Sequence, residues 1–192
     1  RVHLENQRYA GYLEAHIEQG PRLEAAGKHI GVVTAIVGIR DLKIDFTGAQ
    51  NHAGTTPMAL RRDAGRALID TAGQIDRMFS QVFGEDSIRT IGQVEFQPGA
   101  PSIIPGQARM TLQFRDSDSS RLDAMEDEIR TLVAAANDTG RVTVSLTPSD
   151  DRVAPATMDE TLQEAVAAAA EQHAPGAWMR MPSGAGHDAQ VL

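Results

Sequence analysis

Six histidines supply most of the chemistry open to this sequence, which contains no cysteine. His3, His29 and His173 stand in polar or turn contexts and read best as solvated surface imidazoles. The other three sit in short, polar, glycine-bearing stretches. His16 lies in Leu13-Glu14-Ala15-His16-Ile17-Glu18-Gln19-Gly20-Pro21, His52 in Gln50-Asn51-His52-Ala53-Gly54-Thr55-Thr56-Pro57-Met58, and His187 in Ser183-Gly184-Ala185-Gly186-His187-Asp188-Ala189. Neutral imidazole is the commonest ligand for zinc-like metals, and an adjacent carboxylate such as Asp188 can fix its tautomer. On composition alone, His16 and His187 are each more often structural than ligating. Two imidazoles also fall short of the three protein ligands that catalytic zinc takes. His52 suits either a solvated cap or a substrate-binding tip. Arg115 offers a bidentate fork for a carboxylate, while its plainer role is a surface ion pair with Asp116 or Asp118, worth little. Glu14 and Glu18 are acids or bases with nothing to raise their odds. No GxSxG, Walker A or GxGxxG motif is present.

The elements that must position these residues follow from apolar spacing. Residues 4–13 read as the end of a helix, and residues 13–19 as a short strand ending at Gly20-Pro21, with His16 near its carboxyl end. A brief helix spans residues 22–26. Residues 30–39 are nearly all apolar and β-branched, which predicts a strand buried on both faces. Leu42, Ile44 and Phe46 then alternate with charged residues, giving a half-buried strand before the His52 turn. An amphipathic helix is predicted over residues 60–83 and a strand over 88–96, with Gly92 marking a bulge. Further strands fall at 108–115 and 142–146, around a second amphipathic helix over 122–136. Every strand from residue 40 to 147 is expected to be half-buried. The order βαββαβ is ferredoxin-like, one sheet face covered by two helices and the other open. Thr157 and Glu160 match a capping box before an alanine-rich helix that runs to residue 172.

Composition narrows the function classes. At 192 residues and 41% hydrophobic content, the chain can bury a real core. A net charge of −8, without a basic block, argues against nucleic acid or an anionic membrane surface as partner. No apolar run approaches the roughly 20 residues that span a bilayer. The acidic start gives no signal-peptide pattern, and lack of cysteine suits a cytoplasmic location. The chain starts without Met, so a preceding segment is expected.

The three histidine stretches, in this order, resemble the hydantoinase/carbamoylase branch of the M20 metallopeptidase family. The resemblance covers essentially the whole chain, and the Asn-His-Ala-Gly-Thr-Thr-Pro motif at residues 51–57 separates this branch from the family's peptidases and aminoacylases. It implies an α+β architecture: a ferredoxin-like lid of four antiparallel strands and two helices, flanked by pieces of an α/β metallohydrolase domain. By this reading residues 1–36 and 151–192 are catalytic-domain segments, and residues 37–150 form the lid and dimerisation domain. The resemblance implies that His16 and His187 are metal ligands. It gives His52 the role of a catalytic oxyanion or substrate donor acting across a homodimer. Arg115 would bind the substrate carboxylate, with Gln19 a contact to the amide.

Two departures stand out. Ser102 occupies a substrate-contacting position where the family usually has Asn, and Gln113 replaces a usual acid on what reads as the sheet surface. The implied cofactors are two divalent metals, zinc or manganese. The family's first metal histidine, bridging aspartate and Glu-Glu pair have no match here, so the chain alone is expected to be inactive and to bind metal weakly. The implied function is hydrolysis of the C–N bond of an N-carbamoyl amino acid, ureidopropionate or allantoate. Two other readings stay open: an aminoacylase or dipeptidase of the wider family, and a non-catalytic dimerisation module.

Overall fold

The structure, a computed structural model, describes residues 8–84 and 87–191. In chain order its elements are α1 (Arg22–Ala25), β1 (Ile30–Ile36), β2 (Gly38–Thr47), β3 (Asn51–His52), α2 (Ala64–Met78), β4 (Ile88–Gln97), β5 (Ile103–Ile104), β6 (Gln107–Asp116), α3 (Ser119–Asp138), β7 (Thr143–Pro148), β8 (Ala156–Thr157), α4 (Glu160–His173) and β9 (Trp178–Ser183). They form two compact units, one spanning Gly38–Val153 and the other made of the residues on either side of it.

The Gly38–Val153 unit is the ferredoxin-like βαββαβ fold. Its four-stranded antiparallel sheet has the order β4-β6-β2-β7. The alternation seen in sequence sends Leu42, Ile44 and Phe46 of β2, with Ala108, Met110, Leu112 and Phe114 of β6, to one face, where all are buried. Leu68 and Ile75 of α2 and Leu122, Met125, Ile129 and Val133 of α3 close the other side of this core. Each such side chain contributes roughly 1.5–3 kcal/mol by leaving water. Asp63 caps α2 by accepting from the Arg66 amide, and Asp118 caps α3 through the Ser120 amide. The predicted helix over 60–83 therefore starts later, at Ala64, and ends in a π-helical turn, Phe79–Phe83. Gly92 lies where the register of β4 on β6 shifts, as a bulge there requires.

Strand β4 departs from the expectation that every strand is half-buried. Ile88, Ile91, Val94 and Phe96 are 37–47% exposed. The strand forms the sheet edge: Ile88, opposite Arg115, lies on the open face, and α2 and α3 leave Ile91, Val94 and Phe96 incompletely covered on the other.

The second unit is smaller. In it β1 pairs antiparallel with β8 and parallel with β9, and α4 lies against the sheet through Val32, Ala167 and Ala170. The run over 30–39 is not one doubly buried strand. It breaks at Val37, where the chain leaves one sheet for the other, and β1 is mostly half-buried. Residues 9–20 hold no helix or strand, which corrects the predicted strand at His16 and the described part of the helix expected over 4–13; residues 4–7 lie outside the described residues. A strand exists only by pairing, and both neighbours of β1 come from the far end of the chain. The capping box also fails: Thr157 pairs in β8, and Asp159 caps α4 by accepting from the Leu162 amide.

One buried carboxylate stands out in the ferredoxin-like unit. Glu126 of α3 is 5% exposed and accepts from Arg40 at 3.0 Å, Arg130 at 2.6 Å and Arg152 at 2.9 Å. Burial pushes its carboxyl up, but the Arg130 hydrogen bond and the Arg152 and Arg40 guanidiniums outweigh that and hold it below the usual glutamate range. A depressed folded-state value stabilises the fold above the unfolded-state value, near pH ~4.3, and this is lost as pH falls through the lower folded value. Glu126→Gln should cost on the order of 2 kcal/mol at pH 7, below the fully buried case because Arg130 and Arg152 are half-exposed. It should also flatten the fall in melting temperature below about pH 4.3. Thermal melts across pH check both; an unchanged acid limb would show that Glu126 does not set it.

Candidate metal and substrate site

His16 and His187 come from opposite ends of the chain and meet within the smaller unit. Their rings lie 4.2 Å apart, edge to face. Donor atoms of Glu14, His16 and His187 all lie within 4.8 Å of one another, making a triad of the type that holds a divalent metal. The loop after His187 also fixes Glu14, since the Ala189 amide donates to its carboxylate at 3.2 Å. The three side chains line a largely apolar cleft of about 1090 Å³ that includes Tyr12, Val33 and Leu162.

Hydrogen bonding fixes how the two imidazoles present themselves. His16 Nδ1 lies 2.6 Å from the Ile17 carbonyl, which can only accept, so Nδ1 carries the proton and Nε2 the lone pair. Ser183, at the end of β9, donates its single hydroxyl proton to the Ala185 carbonyl at 3.1 Å. Its oxygen must then accept from His187 Nε2 at 2.5 Å, which leaves the lone pair on His187 Nδ1. That Nδ1 is buried without a hydrogen-bond partner among the described residues. A buried acceptor left unpaired is costly unless a ligand satisfies it. The donor set and the orphaned nitrogen therefore fit a divalent metal.

The neighbouring residues divide into structural and candidate roles. Glu18 caps α1 by accepting from the Arg22 and Leu23 amides at 2.7 and 2.9 Å, so it is spoken for structurally. Gln19 takes φ = 55°, a left-handed conformation uncommon outside glycine, immediately beside that cap. His29 and His173 are exposed, as expected, and His3 lies outside the described residues.

The His52 turn belongs to the ferredoxin-like unit. β3 pairs with β5, His52 opposite Ile103, and the Ala53 amide donates to the Ser102 carbonyl at 2.9 Å. This brings Ser102 beside the turn. A Cβ on Gly48 would meet the Arg62 carbonyl at 1.9 Å, so only glycine lets β2 pass the entry to α2 and release the turn. Within the turn, the Gly54 amide donates to His52 Nδ1 at 3.0 Å. A ring nitrogen that accepts carries no proton, so neutral His52 offers Nε2–H as a donor. Thr56 donates its hydroxyl to the His52 carbonyl at 2.7 Å. Arg61 joins the turn from outside, donating to the Thr56 carbonyl at 3.1 Å and the Ala53 carbonyl at 2.5 Å. Sequence reading missed Arg61, whose only signal was a cation four residues after a proline.

Arg115, at the end of β6, is not paired with Asp116 or Asp118 as its plainer reading held. Asp116 is buried and taken by Ser87 at 2.8 Å and Arg121 at 3.1 Å. Arg115 instead donates to the side-chain oxygen of Gln113, from Nε at 3.0 Å and Nη2 at 2.7 Å. Gln113 is thus no idle surface position. Glu14 was named in sequence without support and gains it only from the fold, because its partner loop lies 175 residues away.

Comparison with known proteins gives a consistent answer. The model of peptidase family M20/M25/M40 matches residues 1–192. An N-carbamoyl-L-amino-acid amidohydrolase of Paenarthrobacter aurescens is 33% identical over 185 residues, covering 94% of this chain and 43% of that protein. An allantoate amidohydrolase of Escherichia coli is 33% identical over 181 residues, with the same coverage of 94% and 43%. The crystal structure of an amidase of the hydantoinase/carbamoylase family from Burkholderia phymatum superposes with a TM-score of 0.89 at 50% identity, over 92% of this chain and 44% of that one. The chain thus spans less than half the length of these relatives. With its fold, its three motifs and its matches in agreement, the chain belongs to peptidase family M20/M25/M40, in the hydantoinase/carbamoylase branch.

Proposed function

We propose that the full-length protein is a divalent-metal-dependent amidohydrolase that cleaves the C–N bond of a ureido or amide group next to a carboxylate. N-carbamoyl amino acids, ureidopropionate and allantoate are the substrate class. The observation that carries this reading is the convergence of Glu14, His16 and His187, with their lone pairs fixed by hydrogen bonds. His16 Nε2, His187 Nδ1 and the Glu14 carboxylate would hold the metal, zinc or manganese. A divalent metal at such a site lowers the pKa of a bound water and polarises the scissile carbonyl.

The chain's other residues supply binding and charge stabilisation. His52 Nε2–H donates to the oxygen that gains charge during attack, which matters most where water is excluded. Arg115 holds the substrate carboxylate and so fixes the position of the carbonyl. Gln19 and Ser102 are assigned contacts to the substrate's amide end. Both His52 and Arg115 are ordered by other residues before any ligand arrives, and such preorganisation is what makes a donor effective.

We also assign a homodimer to this protein, built on the exposed apolar edge of β4. Ile91, Val94 and Phe96 on an unpaired strand edge need a cover, and a second copy supplies one. No helix among the described residues is long and apolar enough to cross a membrane.

Three measurements test the reading. Full-length protein assayed on N-carbamoyl and N-acetyl amino acids and on allantoate should favour the ureido compounds, whereas the 192-residue chain alone should stay at buffer background. Preference for N-acetyl substrates would make it an aminoacylase. Absence of both metal and hydrolysis would leave a dimerisation module. His52→Ala should lower kcat by about 10²–10³-fold with an unchanged melting temperature. His16→Ala should lose bound metal by elemental analysis. His187→Ala should do the same, and a His187→Ala variant that keeps its full metal content would move His187 from the metal to the substrate. For the dimer, Ile91→Lys combined with Val94→Lys should halve the mass seen in sedimentation; an unchanged mass would place the interface elsewhere.

A further inference from the structure

Asp41, Gln113 and Arg115 form a line on the open face of the sheet. Gln113 and Asp41 are register partners across β6 and β2. The Gln113 amide nitrogen donates to Asp41 Oδ1 at 2.9 Å, and its oxygen accepts twice from Arg115. All three residues are half-buried. The partners fix which way the amide points, since a carboxylate accepts and a guanidinium donates. A side chain here must therefore accept from one neighbour and donate to the other, at this length. Glutamine does so. Glutamate could only accept, and it would set a second negative charge against Asp41. A hydrocarbon could do neither.

We propose that Gln113 is a positioning residue that sets the enzyme's selectivity for substrates with a free carboxylate. This rests on the assignment of Arg115 as the carboxylate-binding residue. Gln113 orients the guanidinium through two hydrogen bonds while contributing no charge, and it keeps the Asp41 carboxylate one side chain away. An acid at this position would hold Arg115 in the same place but compete with the substrate for it. The amide thus helps to aim the fork without itself adding a charge that competes for it.

The test uses full-length protein, with the N-carbamoyl amino acid it turns over fastest and the primary amide of that compound, which lacks the negative charge. Gln113→Glu should raise KM for the acid roughly three- to fivefold, the upper end of what a competing, partly exposed carboxylate gives. Its kcat on the acid, and its KM on the amide, should each move by less than about twofold on the same grounds. Equal rises in KM for acid and amide, or no rise for either, would overturn the proposal. Gln113→Met, similar in length and uncharged, carries the test if the Glu variant does not fold. It should raise KM for the acid by about threefold, through lost orientation alone, and leave the amide unaffected. An unchanged KM for the acid in that variant overturns the proposal as well. Arg115→Gln, measured beside them, separates the two claims. If it leaves the preference for acid over amide intact, the Arg115 assignment fails. If it abolishes that preference while Gln113→Glu has no effect, only the role of Gln113 fails.

Discussion

The ten-residue antiparallel register between β2 and β6 is the constraint on which the ferredoxin-like unit depends. It runs without interruption from Gly38 opposite Asp116 to Thr47 opposite Gln107. Because side chains alternate with period two, a slip of β6 by one residue would send Met110, Leu112 and Phe114 to water and bring their polar neighbours toward the core. The register that buries the apolar set also places Asp41 opposite Gln113 on the outer face. At its far end it delivers Gly48 and the His52 turn. Core and outer face are therefore two readings of one pairing.

The smaller unit uses a different logic. Its apolar core is slight, and what it positions are polar groups with few degrees of freedom. Glu18 is committed to a helix end, Ser183 to a carbonyl and a ring nitrogen, and Ala189 to Glu14. A serine has one proton to give. Where that proton goes decides which face of His187 carries a lone pair, and so what chemistry the loop can offer.

How much of this was legible in the sequence depends on whether the cause was local. The alternation of residues 42–46 and 108–114, the helical spacing of residues 122–136 and the bulge at Gly92 are local patterns, and the fold follows them. The convergence of His16 with His187 was implied by family resemblance and not by any pattern in the residues, because contact across the length of the chain leaves no periodic trace. The stretch around His16 misled for a related reason. Its brief alternation satisfies the pattern of a strand, but pairing is a non-local property and none of the described strands pairs with it. Thr157 and Glu160 likewise fit a capping box, yet β1 recruits Thr157 as a strand residue and Asp159 takes over the cap. The role of Gln113 was hidden because a polar residue on an open sheet face looks solvent-directed until its neighbours on two strands are known.

The two points at which the chain enters and leaves the ferredoxin-like unit lie side by side. Ile39 and Val153 exchange both backbone hydrogen bonds, at 2.9 and 3.1 Å, and Gln190 donates its amide to the Val37 and Ala154 carbonyls just beyond them. A unit whose ends touch makes no demand on the separation of the residues it interrupts. In topological terms it is a cassette: the strands that flank it, β1 and β8, pair with each other from Ile36 opposite Ala156, so the host sheet closes across the insertion.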